Sequence, residues 1–102
     1  MENPTKIILE AIARQLCVAA VYNQARLTLA PHILYTRHDD LFVDAVTIKR
    51  NGGPPKELKL GTFKCSGLHE LTLTTHSFEP FRNFDPKDEK YGGSALFSVA
   101  KD

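Results

Sequence analysis

The sequence predicts a small, mainly β domain with one helix at its N-terminus, and two patterns carry this prediction. Most of the chain consists of short apolar runs rich in β-branched and aromatic residues, separated by turn residues. The first residues differ, because their apolar side chains recur three to four positions apart. We therefore expect a single domain, with a helix over about 4–16, a small bent antiparallel barrel over about 17–76, and a tail with a last strand over about 77–102.

Length and composition are typical of one soluble, folded domain. A chain of 102 residues can bury one modest core, and its 42% hydrophobic and 25% charged residues argue against disorder. A formal net charge of +1 gives no long-range attraction to nucleic acid or to an anionic membrane, so a basic site would have to be local.

The chain shows no pattern typical of a membrane or secreted protein. No apolar run approaches the roughly 18 residues of a membrane span, and the start of the chain lacks the features of a signal peptide. Cys17 and Cys65 lie far apart among apolar or small residues, which is typical of buried thiols rather than a disulfide or a metal pair. We expect a cytoplasmic protein with no membrane partner.

The helix is predicted to begin at Asn3 and Pro4. An Asn side chain can accept a hydrogen bond from the first free amides, and the fixed φ of proline suits the first helical position. Ile8, Ile12 and Leu16 recur every four residues, so one stripe of the helix requires a packing partner.

About five strands are predicted to form the sheet. The candidate strands cover about 17–22, 26–35, 41–48, 58–65 and 71–74, with a further candidate at 95–99. Pro31 removes a ladder donor, so the second strand lies at an edge or is bent there. The segment 41–48 is apolar except for Asp44 and Thr47, which predicts a central strand with both faces covered.

A change of parity predicts that the sheet closes into a barrel. Leu58 and Leu60 share a face, whereas Phe63 and Cys65 fall on the opposite parity, so a bulge at Gly61-Thr62 would restore the register. Bulges and glycine bends curl small sheets. Beyond the sheet, an apolar tail containing three phenylalanines is expected to lie across the body of the domain.

Metal binding is not predicted, although many side chains could act as ligands. These candidates carry a nitrogen or oxygen donor: His32, His38, Asp39, Asp40, His69, Glu70 and His76. No two histidines are three to five positions apart, and the two pairs of adjacent residues would diverge on a regular element. We interpret them as surface or turn residues, and we expect no metal and no cofactor.

Catalysis is not predicted either. Ser66-Gly67 beside His69 is the nearest approach to a hydrolase site, with Cys65 as a further nucleophile, but no Gly-x-Ser-x-Gly pattern surrounds the serine. A small barrel also has little room for a shielded cleft. We therefore expect a protein that is not an enzyme, and a small hydrolase is the least favoured alternative.

Basic and aromatic residues near the strands form a more coherent set. Its members are Tyr22, Arg26, His32, Tyr35, Arg37, Lys49, Arg50 and Lys64. Small barrels bind nucleotides and other anionic ligands by combining cationic donors with aromatic faces for stacking. A solvated face with ordinary turn charges is the open alternative.

The order of these residues is similar to that of a known family. A helix is followed by an apolar strand ending in Tyr22 and by Arg26 at the start of the next strand. Then come Pro31-His32-Ile33-Leu34, the triplet Leu41-Phe42-Val43 and the run Thr62-Phe63-Lys64-Cys65-Ser66-Gly67-Leu68. This series, over about the first three quarters of the chain, resembles the WYL domain of bacteria.

The resemblance implies an Sm-like, SH3-type barrel that senses a ligand or binds nucleic acid, usually behind a helix-turn-helix domain in a transcriptional regulator. The triplet Leu41-Phe42-Val43 replaces the family's Trp-Tyr-Leu, and Lys64 replaces an arginine, so anion recognition should differ. This chain carries no DNA-reading helix-turn-helix, and by itself it is not expected to recognise an operator.

We therefore predict a non-enzymatic regulatory module that binds a small anionic ligand or single-stranded nucleic acid, or docks onto a regulatory protein. Tyr22 is the candidate for stacking, Arg26 and Lys64 for anion contact, and His32 as a donor whose charge can change near neutral pH. The alternative is an interaction module, including a homo-oligomer, that uses a strand edge or the phenylalanine tail (Phe78, Phe81 and Phe84).

Overall fold

The computed structural model describes residues 3–100, in which one helix precedes a six-stranded antiparallel sheet. The elements are α1 (Pro4–Arg14), β1 (Leu16–Tyr22), β2 (Ala25–Arg37), β3 (Asp40–Arg50), β4 (Leu60–Lys64), β5 (His69–Ser77) and β6 (Ala95–Ser98). Single 3-10 turns occur at Cys65–Gly67 and Glu89–Tyr91. The predicted mainly β fold with an N-terminal helix is confirmed.

The long strand β2 is the centre of the sheet. The order is β4-β3-β2-β1-β5, and β6 also pairs with β2. The first half of β2 pairs with β1, up to Leu29, and β6 pairs with its second half, from Ile33 to Tyr35. The register with β3 shifts between Pro31 and Ile33, so the proline marks a bend in a central strand rather than an edge. Within residues 3–100 no ladder joins β4 to β5, so the sheet is open.

The N-terminal helix begins as predicted but ends earlier. The Oδ1 atom of Asn3 accepts a hydrogen bond from the N–H of Thr5 (2.9 Å), and Pro4 is the first helical residue. Gln15 adopts a left-handed conformation (φ 54°) that closes the helix, so Leu16 belongs to β1 and not to the helical stripe. The buried stripe is Ile7, Ile8, Ala11 and Ile12.

Each face of the sheet carries a cluster of buried side chains. The main core joins the helix stripe to side chains of β1, β2 and β3, including Val18, Leu29 and Val43. A smaller cluster contains Cys17, Ala30 and Val46, and partly buried hydrophobic residues pack against it: Ile48, Leu60, Phe78 and Phe81. The phenylalanine tail therefore lies across the sheet, as expected, and it covers part of the face opposite the main core.

The predicted bulge in β4 is wrong. The pairing of β4 with β3 runs without a shift from Leu60 opposite Val46 to Lys64 opposite Phe42. Leu58 precedes the strand and is 56% exposed. It therefore does not need to share a face with the buried residues of β4, and no bulge is required. Irregular pairing occurs instead in β2 and between β1 and β5.

Two further expectations concern the cysteines and the membrane. Cys17 and Cys65 are free and buried, as predicted. No helix in the described residues has the length and apolar content needed to cross a bilayer.

Candidate functional site

Tyr22, the residue predicted to stack on a ligand, is partly buried and packs against the main core. Its ring meets the ring of Phe63 edge to face, with centroids 5.1 Å apart. A Cβ atom at Gly67 would lie 3.0 Å from Cε1 of Tyr22, so the turn after β4 presses against the same ring. Tyr22 thus joins the end of β1 to β4.

His32, the predicted ligand donor, lies in the interior of the fold. It is 1% exposed, and its Nε2 atom accepts a hydrogen bond from the N–H of Phe81 (2.8 Å). Because an amide N–H can only donate, the ring proton lies on Nδ1, which donates to the carbonyl of Ala30 (2.7 Å). The rings of Phe78 and Phe84 enclose the imidazole, with centroids 5.1 and 5.2 Å away. His32 therefore holds the tail onto β2.

The two predicted anion contacts, Arg26 and Lys64, lie at opposite ends of the sheet. Lys64 pairs with Phe42 near the start of β3, and its Nζ atom lies 3.4 Å from a carboxylate oxygen of Asp40. Arg26 lies beside the end of β3, where its backbone N–H donates to Oδ1 of Asn51 (3.0 Å). The structure does not bring Arg26 and Lys64 together.

Arg26 instead faces a groove on the outer face of the sheet, on the side away from the helix. The groove has a volume of about 500 Å³ and extends across β3, β2, β1 and β5. One cross-strand row forms its centre, since Thr28 pairs with Lys49 and with Ala19, and Ala19 pairs with Thr72. Side chains opposite each other in neighbouring strands point to the same face. The small side chain of Ala19 therefore leaves a depression between two threonines.

The groove contains charged groups that the fold leaves unpaired. Arg26, Lys49 and Glu70 line it, and none of them has an ion-pair partner within 4.0 Å among residues 3–100. In the same part of the chain, the hydroxyl groups of Thr28 and Thr72 make no hydrogen bond. Two cations, one carboxylate and two hydroxyls are thus available to a ligand.

Glu70 lies at the edge of the groove, at an irregularity in β5. Ala19 pairs with Thr72, and Val21 pairs with His69. The two residues Glu70 and Leu71 therefore lie opposite one residue of β1, Ala20. Glu70 has a left-handed backbone (φ 52°). A residue with a Cβ atom adopts this conformation at a cost of about 1–2 kcal/mol, and such bulges redirect a side chain. The sequence showed Glu70 only as a possible metal ligand, because a bulge of this kind has no glycine to reveal it.

A second cluster surrounds Asp44, which is fully buried on β3. One carboxylate oxygen accepts hydrogen bonds from the hydroxyls of Tyr35 (2.7 Å) and Thr62 (2.8 Å). The other accepts from Nζ of Lys90 (2.8 Å) and the hydroxyl of Tyr91 (2.7 Å). This Asp44 cluster connects three strands to the turn before β6.

The electrostatics of the Asp44 cluster fix its protonation. Burial alone would raise the pKa of Asp44, but the four hydrogen bonds, the strongest from Lys90, lower it below its ordinary value. Burial, with the nearby carboxylate, raises the pKa of Tyr35 to about 12 and raises that of Tyr91 as well. The carboxylate is therefore anionic with neutral phenols around it. The one sequence signal for this cluster was an aspartate inside an otherwise apolar strand.

The residues of the hydrolase alternative, Cys65, Ser66 and His69, lie around the turn between β4 and β5. Burial raises the pKa of Cys65 to about 11, which keeps it a thiol at neutral pH. Ser66 and His69 share no hydrogen bond in the described part of the chain. Among residues 3–100 no group of three or more His, Cys, Asp or Glu side chains could hold a metal ion.

The similarity to the WYL domain rests on the order of residues alone. Comparison of the chain with protein-family models, with curated proteins and with solved structures finds no match.

Proposed function

We propose that this protein is a non-enzymatic regulatory module that binds a small anionic ligand in the groove on the outer face of the sheet. The observation that carries the proposal is the pair Arg26 and Lys49, two basic side chains that line the same depression without an ion-pair partner in residues 3–100. An arginine can hold a phosphate or carboxylate through two parallel hydrogen bonds, and a lysine adds a point charge.

The lining of the groove favours a small ligand over single-stranded nucleic acid. Sites for single strands combine basic residues with aromatic rings on which bases stack. Among residues 3–100 no aromatic side chain lines the groove, since Tyr22 packs against Phe63 and Tyr35 is 1% exposed. A compact anion, held by charge and by the hydroxyls of Thr28 and Thr72, fits this surface better.

The proposal includes an Sm-like, SH3-type arrangement in which the sheet curls into a partly open barrel. Its support is the contact of Tyr22 with Phe63 and with the turn at Gly67, because this contact joins β1 to the far side of the sheet. The bend at Pro31 in β2 and the irregular pairing of β1 with β5 add curvature. This arrangement agrees with the resemblance to WYL domains and with a ligand-sensing role.

A titration with inorganic phosphate, followed by amide NMR shifts of the full chain, tests the proposal. We expect the largest shifts at Arg26, Thr28 and Lys49, and we expect Arg26→Gln/Lys49→Gln to abolish them. The control Lys6→Gln/Arg37→Gln removes the same charge from exposed residues outside the groove and should bind phosphate normally.

Equal binding by the wild type and the groove variant would refute the proposal. A single-stranded oligothymidylate provides the second arm of the same experiment. If the oligonucleotide binds the groove more tightly per phosphate than inorganic phosphate does, the nucleic-acid function replaces the small-ligand function.

A second candidate function, self-association or docking onto a regulatory partner, is favoured by exposed apolar side chains. Leu96 and Phe97 on β6 are 57% and 41% exposed. The phenylalanine tail is a poorer candidate than its sequence indicated, because Phe84 is 1% exposed and Phe78 and Phe81 pack on the smaller cluster. Sedimentation velocity of wild type and Phe97→Ser over a range of concentrations would reveal assembly. If the wild type stays monomeric at every concentration, the homo-oligomer hypothesis is excluded.

A further inference from the structure

The groove holds charges of opposite sign on its two sides. Arg26 and Lys49 lie on β2 and β3, and Glu70 lies on β5. Strand β1 separates β2 from β5. Neighbouring strands are about 4.8 Å apart, so the backbones of β2 and β5 are separated by about 10 Å. The opposite charges therefore flank a gap as wide as a small molecule and do not close on each other within 4.0 Å.

Glu70 lies at the edge of the groove, and it also lines a second depression beside Pro4, Ile7 and Glu10. It occupies a left-handed bulge position at which glycine would avoid the conformational cost. Strained residues of this kind concentrate at binding sites, where the strain directs a side chain towards a ligand. A carboxylate in the groove would also repel a ligand that carries only negative charge.

We infer that the groove takes a small zwitterion, with its phosphate or carboxylate group against Arg26 and Lys49 and its ammonium group against Glu70. The inference rests on the proposed function and specifies the class of its ligand. The depression at Ala19 accommodates the short carbon chain between the two charged groups, and the hydroxyls of Thr28 and Thr72 border it. A nucleic-acid strand, which has no cation to offer Glu70, is disfavoured.

Two probes of nearly the same size test the inference: 2-aminoethyl phosphate, which carries an ammonium group, and ethyl phosphate, which does not. Their dissociation constants are measured on the full chain by NMR titration. We expect wild type to bind 2-aminoethyl phosphate about fivefold more tightly, as one additional solvent-exposed charge contact would give. In Glu70→Gln this ratio should fall to about one, with the affinity for ethyl phosphate unchanged or higher.

The control Glu57→Gln removes the same charge from an exposed position outside the groove and should keep the ratio of the wild type. A reduction as large as that of Glu70→Gln would assign the effect to net charge and overturn the inference. Glu70→Gly provides the second variant, since it lacks the carboxylate but suits the left-handed backbone. We expect it to show a higher urea midpoint than wild type together with a probe ratio of about one.

The outcomes separate this inference from the proposed function. If both probes bind through Arg26 and Lys49 with equal affinity, the inference of a zwitterionic ligand is wrong, and the proposed anion site is retained. If neither probe binds, or if Arg26→Gln/Lys49→Gln leaves both affinities unchanged, the anion site itself is wrong.

Discussion

Two carboxylates on this sheet have opposite surroundings. Asp44 is fully buried and accepts four hydrogen bonds, one of them from a lysine. Glu70 is exposed and has no ion-pair partner within the described chain. A charge inside the fold must be paired because its desolvation is costly, whereas a charge at the surface is solvated by water until a ligand arrives. The Asp44 cluster therefore serves the fold, and the groove is free to serve binding.

The Asp44 cluster fastens the end of the chain to the centre of the sheet. Lys90 and Tyr91 lie in the turn before β6, and Tyr35 and Thr62 lie on the strands that flank β3. Such a cluster specifies one arrangement of these elements, because a shift of any member leaves buried polar groups without partners. The charged residues of the groove do not fix the arrangement of the strands in this way.

The largest expected effect is that of Asp44→Asn on the free energy of unfolding. The amide cannot act as an anionic acceptor for Lys90, and it leaves a buried phenol poorly paired, so we expect a loss of about 3 kcal/mol. Urea denaturation followed by far-UV circular dichroism measures it.

The matched control is Asp40→Asn, since Asp40 is exposed and lies 3.4 Å from Lys64. Exposed ion pairs contribute little, so this variant should lose at most about 0.5 kcal/mol. Similar losses in the two variants would show that the buried carboxylate contributes no more to the free energy of unfolding than the exposed one.

A somewhat smaller effect is expected from His32→Leu, which fills the space with an apolar side chain but removes the hydrogen bonds of the imidazole to Ala30 and Phe81. Without His32 the carbonyl of Ala30 and the N–H of Phe81 lose a partner in a tightly packed region. We expect a loss of about 2 kcal/mol in the free energy of unfolding. His76→Leu, at an exposed position on β5, is the control and should change it by less than about 0.5 kcal/mol. An equal effect at the two positions would show that His32 does not hold the tail.

The sequence predicted most of the fold because local patterns carry it. The helix start at Asn3, the bend at Pro31 and the apolar run of β3 are each written within a few residues. The helix end and the course of β4 were misjudged, because a left-handed glutamine and an exposed Leu58 break the expected periodicity without a glycine or proline to mark the change.

The sites were harder to predict because they depend on pairing between distant residues. The partners of Asp44 lie 9, 18, 46 and 47 positions away along the chain. Arg26 and Lys49 were both in the predicted basic set, but composition could not separate them from His32 and Lys64. Only the register of β2 against its neighbours puts Arg26 and Lys49 beside one groove.

The pH dependence of stability should report the buried region. The pKa of Cys65 rises from 9.0 to about 11 and that of Tyr35 from 10.0 to about 12, in both cases mainly through burial. A raised pKa in the folded state means that the stabilisation is complete below the unfolded value and is lost as pH rises through the folded value. The free energy of unfolding should therefore fall above pH 9, by up to about 1.4 kcal/mol per pH unit for each group.

Urea denaturation between pH 7 and 11 measures this decline. Burial raises the pKa of Cys17 as well, so the variant Cys17→Ala/Cys65→Ala removes both thiols. Its decline should begin near pH 10, where the phenols start to titrate, instead of near pH 9. Identical profiles for the variant and the wild type would show that the thiols ionise as readily in the folded chain as in the unfolded one.

The smallest expected effect on stability is that of Arg26→Gln/Lys49→Gln. Both residues are exposed and unpaired within the described chain, and glutamine keeps most of the side-chain stem over the sheet. We expect the free energy of unfolding to change by less than about 0.5 kcal/mol, while phosphate binding is lost. Urea denaturation in phosphate-free buffer measures the first quantity. A loss approaching that of Asp44→Asn would mean that these charges hold the sheet together. The charges of the groove would then stabilise the fold, as the Asp44 cluster does, and would not be available to a ligand.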